Sequence, residues 1–138
     1  MATLTPKLTL TSNDISSSEQ LNLTLTNTLT VDGPVQTKRL AIDSTATELH
    51  TNAVVLANGS YTKSFVLLYN TSTAASGEII TIGTVDASGG TDAALTTVNV
   101  SLAPGEWAFY PWNSSVDLMA EASSGSPVLE VRIFQNLA

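Results

Sequence analysis

Cysteine is absent from this chain, which removes disulfides, thiolate metal sites and cysteine nucleophiles together. Such a composition suits synthesis in a reducing cytoplasm. Charge is scarce as well. Only 12% of residues are Asp, Glu, Lys or Arg, about half the usual share of a soluble domain, so hydration falls to Thr, Ser and Asn. Five basic residues against twelve acidic ones leave a net charge of −7, the wrong sign for a phosphate backbone. Lys38-Arg39 is the only adjacent basic pair, and nucleic acid is not an expected partner. Long apolar runs are missing too. Ala53–Ala57 and Phe65–Tyr69 fall far short of the roughly 20 residues a membrane helix needs. The opening MATLTPKLTL lacks the basic-then-apolar order of a secretory leader, so a membrane is not an expected partner either.

Residues with catalytic chemistry are equally thin. The single histidine, His50, has no second His or Cys with which to ligate a metal, and it reads as a surface or loop residue. No GxSxG elbow and no Gly-rich phosphate loop followed by Lys occurs, so neither motif offers a nucleophile or a phosphate cradle. Asp86 and Asp92 bracket a Gly-Gly pair, but their spacing departs from a calcium loop and reads as a hairpin tip. Glu106 is expected to face solvent beside Trp107. No enzyme and no cofactor are expected. Five Asn-x-Ser/Thr triplets, at Asn22, Asn58, Asn70, Asn99 and Asn113, follow from a chain rich in these residues and are read as chance.

What the chain does have is alternation. Leu21, Leu23, Leu25, Leu29 and Val31 interleave with Asn22, Thr24, Thr26, Thr28 and Thr30, the period of a strand with one apolar and one hydroxyl-rich face. Leu23 and Leu25 are accordingly assigned to the core. Thr24, Thr26 and Thr28 go to an outer face that carries no charge to guard its edge against a neighbour. Lys7–Thr11 and Val35–Ile42 read as further strands, and Asp43–Thr47 and Thr71–Gly77 as loops. Asn58-Gly59, between Ala53–Ala57 and Tyr61–Tyr69, is the strongest hairpin signal. Tyr61–Tyr69 is apolar on both faces and is placed centrally, with Phe65 and Leu67 in the core. Glu78–Val85 and Ala93–Leu102 form a longer hairpin. Val116–Ala122 reads as a strand or a turn of helix. Val128–Phe134 closes the chain and gives Val131 and Ile133 to the core. Short strands broken every eight to twelve residues predict an all-β, antiparallel sandwich or jelly-roll-like single domain over residues 1–138. A chain of this length buries roughly 68–70% of its unfolded surface and needs no covalent staple.

LAPGEWAFYPW, Leu102–Trp112, holds both tryptophans and half of the aromatic residues. Pro104-Gly105 suits a type II turn. A strand over Glu106–Tyr110, ended by Pro111, puts Trp107 and Phe109 on one face, assigned to the core because buried aromatics dominate core energetics. Trp112 lies beyond Pro111 and escapes the alternation. It either folds back over the end of the core or stands exposed, and with Tyr110 it is assigned to a contact surface because both residue types are enriched at binding hot spots.

Four segments, Lys63–Val66 (KSFV), Leu102–Pro111 (LAPGEWAFYP), Asp117–Gly125 (DLMAEASSG) and Val128–Phe134 (VLEVRIF), occur in an order that resembles small virion structural proteins of tailed phages, many of them marine. The Thr/Leu-rich Leu8–Val31 is similar to the opening of such proteins. The resemblance implies a β-sandwich without catalytic residues, most like a head decoration (cement) protein. It implies localisation to the virion, the major capsid protein or other virion proteins as partners, and a homo-oligomer, trimer or dimer. A small tail, collar or fibre-associated subunit is the alternative within the class. A carbohydrate-binding module, with Trp107, Tyr110 and Trp112 as an aromatic platform, is the alternative from another class.

Overall fold

The computed structural model describes residues 2–13, 20–31, 36–45, 47–50, 63–73, 78–85, 95, 97–112 and 117–136. The expected Asn58-Gly59 hairpin and the Asp86–Asp92 connection lie outside these residues. Every described element is a strand: β1 (Ala2–Leu4), β2 (Lys7–Ser12), β3 (Leu21–Thr26), β4 (Leu29–Val31), β5 (Gln36–Ala41), β6 (Thr47–His50), β7 (Lys63–Asn70), β8 (Ile80–Val85), β9 (Thr97–Leu102), β10 (Trp107–Trp112), β11 (Asp117–Ala122) and β12 (Val128–Asn136). Two four-stranded antiparallel sheets, ordered β10-β7-β12-β5 and β6-β11-β8-β9, enclose the core. The expected all-β sandwich is therefore present, with β7 central, and the described part of the expected strand or helical turn, Asp117–Ala122, is strand.

The core lies between the sheets. One sheet supplies Val66, Leu68, Trp112, Leu129, Val131 and Ile133, and the other Leu49, Ile80, Ile82, Leu102, Leu118 and Ala120. Side chains two apart on a strand share a face, and their removal from water contributes roughly 25 cal/mol per Å² of apolar area. At one open side of the sandwich, Lys38 on edge strand β5 reaches across and donates from Nζ to the Leu49 carbonyl oxygen at 2.7 Å. On the opposite side, β8 and β9 shift register at Ile82/Gly83. Gly83 is required there, since a Cβ would run into the Thr97 carbonyl oxygen.

Pro104-Gly105 forms the expected turn. Gly105 takes a positive φ of 79°, and Glu106 N–H donates to the Ala103 carbonyl at 3.0 Å. Glu106 is exposed as expected, and its Oε2 accepts from Ala103 N–H at 2.8 Å, closing the turn from outside. Pro111, however, does not end the ladder. β10 continues through it to Trp112, with Pro111 opposite Phe65. β10 is an edge strand, and a proline's missing N–H costs a sheet nothing where no neighbour is waiting for it.

The N-terminal strands stand apart from the sandwich. β1 pairs with β4 and β2 with β3, and the registers Leu4↔Leu29 and Lys7↔Thr26 are one continuous alignment. The expected single strand Leu21–Val31 is thus half of one long two-stranded ribbon, interrupted at Pro6 and Asn27. Asn27 N–H still donates to the Pro6 carbonyl at 3.1 Å, carrying the ladder across the interruption. At the base, Leu29 and Val31 are buried, and β4 lies against β12. Beyond the base the leucines emerge. Leu23 and Leu25, assigned to the core by alternation, are exposed, Leu25 by 55%. The alternation itself is intact, with Leu8 opposite Leu25 and Leu10 opposite Leu23, but no second sheet lies over this face.

Candidate functional site, an aromatic face and apolar groove

β10 faces the opposite way from the sequence expectation. Trp107 is 59% exposed and Trp112 only 3%. Trp112 belongs to the core between the sheets, with Ala108 and Tyr110 packed partly against it. Trp107, Phe109 and Pro111 therefore lie on the outer side of the sheet. The register places Trp107 opposite Tyr69, Phe109 opposite Leu67 and Pro111 opposite Phe65. Phe65 is buried, but not as part of the inter-sheet core. Its ring stacks on Phe109 at 5.9 Å and 11°, and Phe109 meets Phe134 edge-on at 6.4 Å and 65°, arrangements favoured by ring quadrupoles. Phe109 and Leu67 are half-buried on this outer face. Of the eight residues assigned to the core, only Val131 and Ile133 lie in the inter-sheet cluster.

The ribbon leans over this aromatic face without closing on it. Between them is a groove of about 690 Å³, lined on the ribbon side by Leu8, Leu25 and Leu29 together with Pro6, Lys7, Thr26 and Asn27, and on the sheet side by Phe65, Trp107, Phe109 and Pro111. Its border is polar. Trp107 and Tyr69, the latter 40% exposed, continue in register to Glu130. Arg132 donates from Nε and Nη2 to Glu130 Oε1 at 3.0 and 2.7 Å. An exposed pair of this kind adds about 0–1 kcal/mol, so it shapes the rim more than it stabilises the fold.

Of the residues assigned to a contact surface, Tyr110, Trp112, Thr24, Thr26 and Thr28, the two on β10 are differently placed. Trp112 is core, and Tyr110 is half-buried toward the core. Burial pushes the Tyr110 phenol up to about 12, with Asn99 beside it opposing part of that rise. The hydroxyl nevertheless has no partner in hydrogen-bond geometry. Neutral Tyr110 favours folding fully below pH 10, its ordinary value. That advantage is lost as pH rises toward 12, a fall of about 1–2 kcal/mol once partial solvent access is allowed for. Urea denaturation of wild type and Tyr110→Phe checks it. The difference between the two is expected to widen by that amount across this interval, and a constant difference refutes it. Thr24, Thr26 and Thr28 are exposed. The side chain of His50 lies outside those described. Among the described residues no three His, Cys, Asp or Glu side chains converge as metal ligands.

Sequence reasoning passed over Asn70 except as a glycosylation triplet. It is fully buried. Its Nδ2 donates to the carbonyls of Glu78 (3.0 Å) and Leu102 (3.1 Å), and its Oδ1 accepts from Ser72 N–H at 3.1 Å. It ties the end of β7 to the lead-in of β8 and the end of β9, beneath the Pro-Gly turn that presents Trp107. The folded chain offers no amide there for a glycan.

No protein-family model and no curated protein matches the chain. Among solved structures, a protein of the disulfide-linked pili that form Bacillus endospore appendages aligns with TM-score 0.47 and 9% identity, over 76% of this chain and 87% of that one.

Proposed function

We propose that the chain is a non-catalytic structural protein of a virion, a head decoration (cement) protein that grips the major capsid protein or a neighbouring virion protein through the outer aromatic face. The observation that carries this reading is the exposed apolar surface outside the inter-sheet core, centred on Trp107 and the groove beside it. Monomeric soluble proteins rarely leave such surface to water unless a partner covers it. The resemblance of four sequence segments, in order, to phage virion proteins suggests the class of partner. A lattice repeats each contact many times, so individually weak contacts suffice. The tail, collar or fibre subunit remains the alternative within the class.

Reconstitution on particles that lack the chain tests the reading. Trp107→Ala is expected to lower occupancy at least about tenfold, in the range of an aromatic hot spot, while far-UV circular dichroism stays unchanged. Undiminished occupancy rejects the aromatic face as the contact. A second reading is favoured by one observation: Trp107 and Tyr69 are both exposed and directly opposite one another, with the Glu130–Arg132 pair alongside. Stacking rings bordered by charged hydrogen-bonding groups suit a sugar. Calorimetric titration with glycans decides it, since saccharide binding by the isolated protein that Trp107→Ala abolishes would favour the carbohydrate module.

A further inference from the structure

Among the described residues three polar side chains are fully buried: Ser64, Asn70 and Gln135. Asn70 spends its amide on two carbonyls and an N–H. The other two are not satisfied in this way. Ser64 Oγ and both amide atoms of Gln135, Oε1 and Nε2, have no hydrogen-bond partner among the described residues. Buried polar atoms in folded chains are nearly always paired, because each gave up its bonds to water on folding. Serine and glutamine are also residue types that mostly stay at the surface.

The sheet brings these atoms together. Ser64 shares the parity of Val66 and Leu68 on β7, and Gln135 that of Val131 and Ile133 on β12, so both point into the space between the sheets. They are direct cross-strand partners, and Trp112 occupies the same row on β10. Cβ atoms of such partners lie about 4.5–5.5 Å apart, close enough for one small molecule to touch both side chains. Ser64 is the second residue of β7 and Gln135 the last but one of β12, so the row lies where the apolar core ends.

The donor set selects the occupant. The Ser64 hydroxyl both donates and accepts, Gln135 Nε2 donates and Oε1 accepts, and none of them is charged. An ion would lose its hydration there and gain no counter-charge from the pair. Lys38, which shares the inner face of this sheet, pairs with Val131 and is already held on the Leu49 carbonyl. Water is the smallest neutral molecule that both donates and accepts. A buried water typically makes about three hydrogen bonds, and the pair presents three polar atoms.

We propose that this end of the inter-sheet core is an internal hydration site, in which water bridges the Ser64 hydroxyl to the Gln135 amide. The bridge fastens β7 to β12 where their apolar pairing gives out. It lies on the inner face of the sheet, so neither the outer aromatic face nor any virion role enters into it.

Two measurements on the full chain test it. A high-resolution crystal structure of the wild type is expected to show water within about 2.7–3.2 Å of Ser64 Oγ and of a Gln135 amide atom. Magnetic relaxation dispersion of the water signal counts molecules held long enough to tumble with the protein. Gln135→Met, alike in length but without the amide, is expected to lower the dispersion amplitude by at least one held water, and Gln135→Leu to do the same. Thr24→Val, on the exposed ribbon, is expected to leave it unchanged. A direct Ser64–Gln135 hydrogen bond in the wild-type map, or a map with no water at the pair, overturns the proposal. A folded Gln135→Met or Gln135→Leu protein that keeps the full amplitude overturns it equally. The wild-type map decides even where a variant does not fold.

Discussion

Trp112→Ala is expected to lower the stability of the folded chain by about 3–5 kcal/mol, the range for removing a large buried aromatic, whereas Trp107→Ala changes it by no more than about 1 kcal/mol. The two tryptophans sit five positions apart on the same short strand, yet one is 3% exposed and packed between the sheets while the other is mostly in water. A domain of this size has about 5–15 kcal/mol in total, so the Trp112 variant is pushed toward unfolding at ambient temperature. Urea denaturation followed by far-UV circular dichroism measures both. Equal losses for the two variants, or a larger loss for Trp107, would invert the facing of β10.

The second large effect is expected at Asn70. Asn70→Leu keeps most of the volume but leaves the Glu78 and Leu102 carbonyls and the Ser72 N–H without the amide that now satisfies them. Each orphaned buried group costs about 1–3 kcal/mol, and the leucine's own transfer from water offsets part of the sum, leaving a net loss of about 3–5 kcal/mol. Asn70→Asp is expected to be worse at neutral pH, because a buried carboxylate would face two carbonyl oxygens with no proton to offer. Denaturation midpoints rank the three proteins. An Asp variant as stable as the wild type would refute the hydrogen-bonding role.

Much of this fold was legible because strand alternation is a short-range signal. The leucine–threonine period marked Leu21–Val31 as strand, Pro104-Gly105 marked its turn, and the apolar double face of Tyr61–Tyr69 marked a central strand. Alternation states which residues share a face and never which face is inside. In β10 both rows are apolar, Trp107, Phe109 and Pro111 against Ala108, Tyr110 and Trp112, so only the opposing sheet could decide between them. The ribbon fails in the same way: its leucines alternate correctly, but burial depends on a layer the sandwich does not provide. Asn70 was invisible for a different reason. Its partners lie on Ser72, Glu78 and Leu102, and only the loop closure brings the last two to it.

Lys38 carries a consequence for the seam where β5 and β6 meet. Its ammonium is held on the Leu49 carbonyl, and Leu49 itself is fully buried, so one flexible stem latches the two layers at that margin. Acylation at the amine would cancel the charge and release the latch. The rate at which an amine-directed reagent reaches Lys38, set against exposed Lys7, is thus a clock for how often that latch opens.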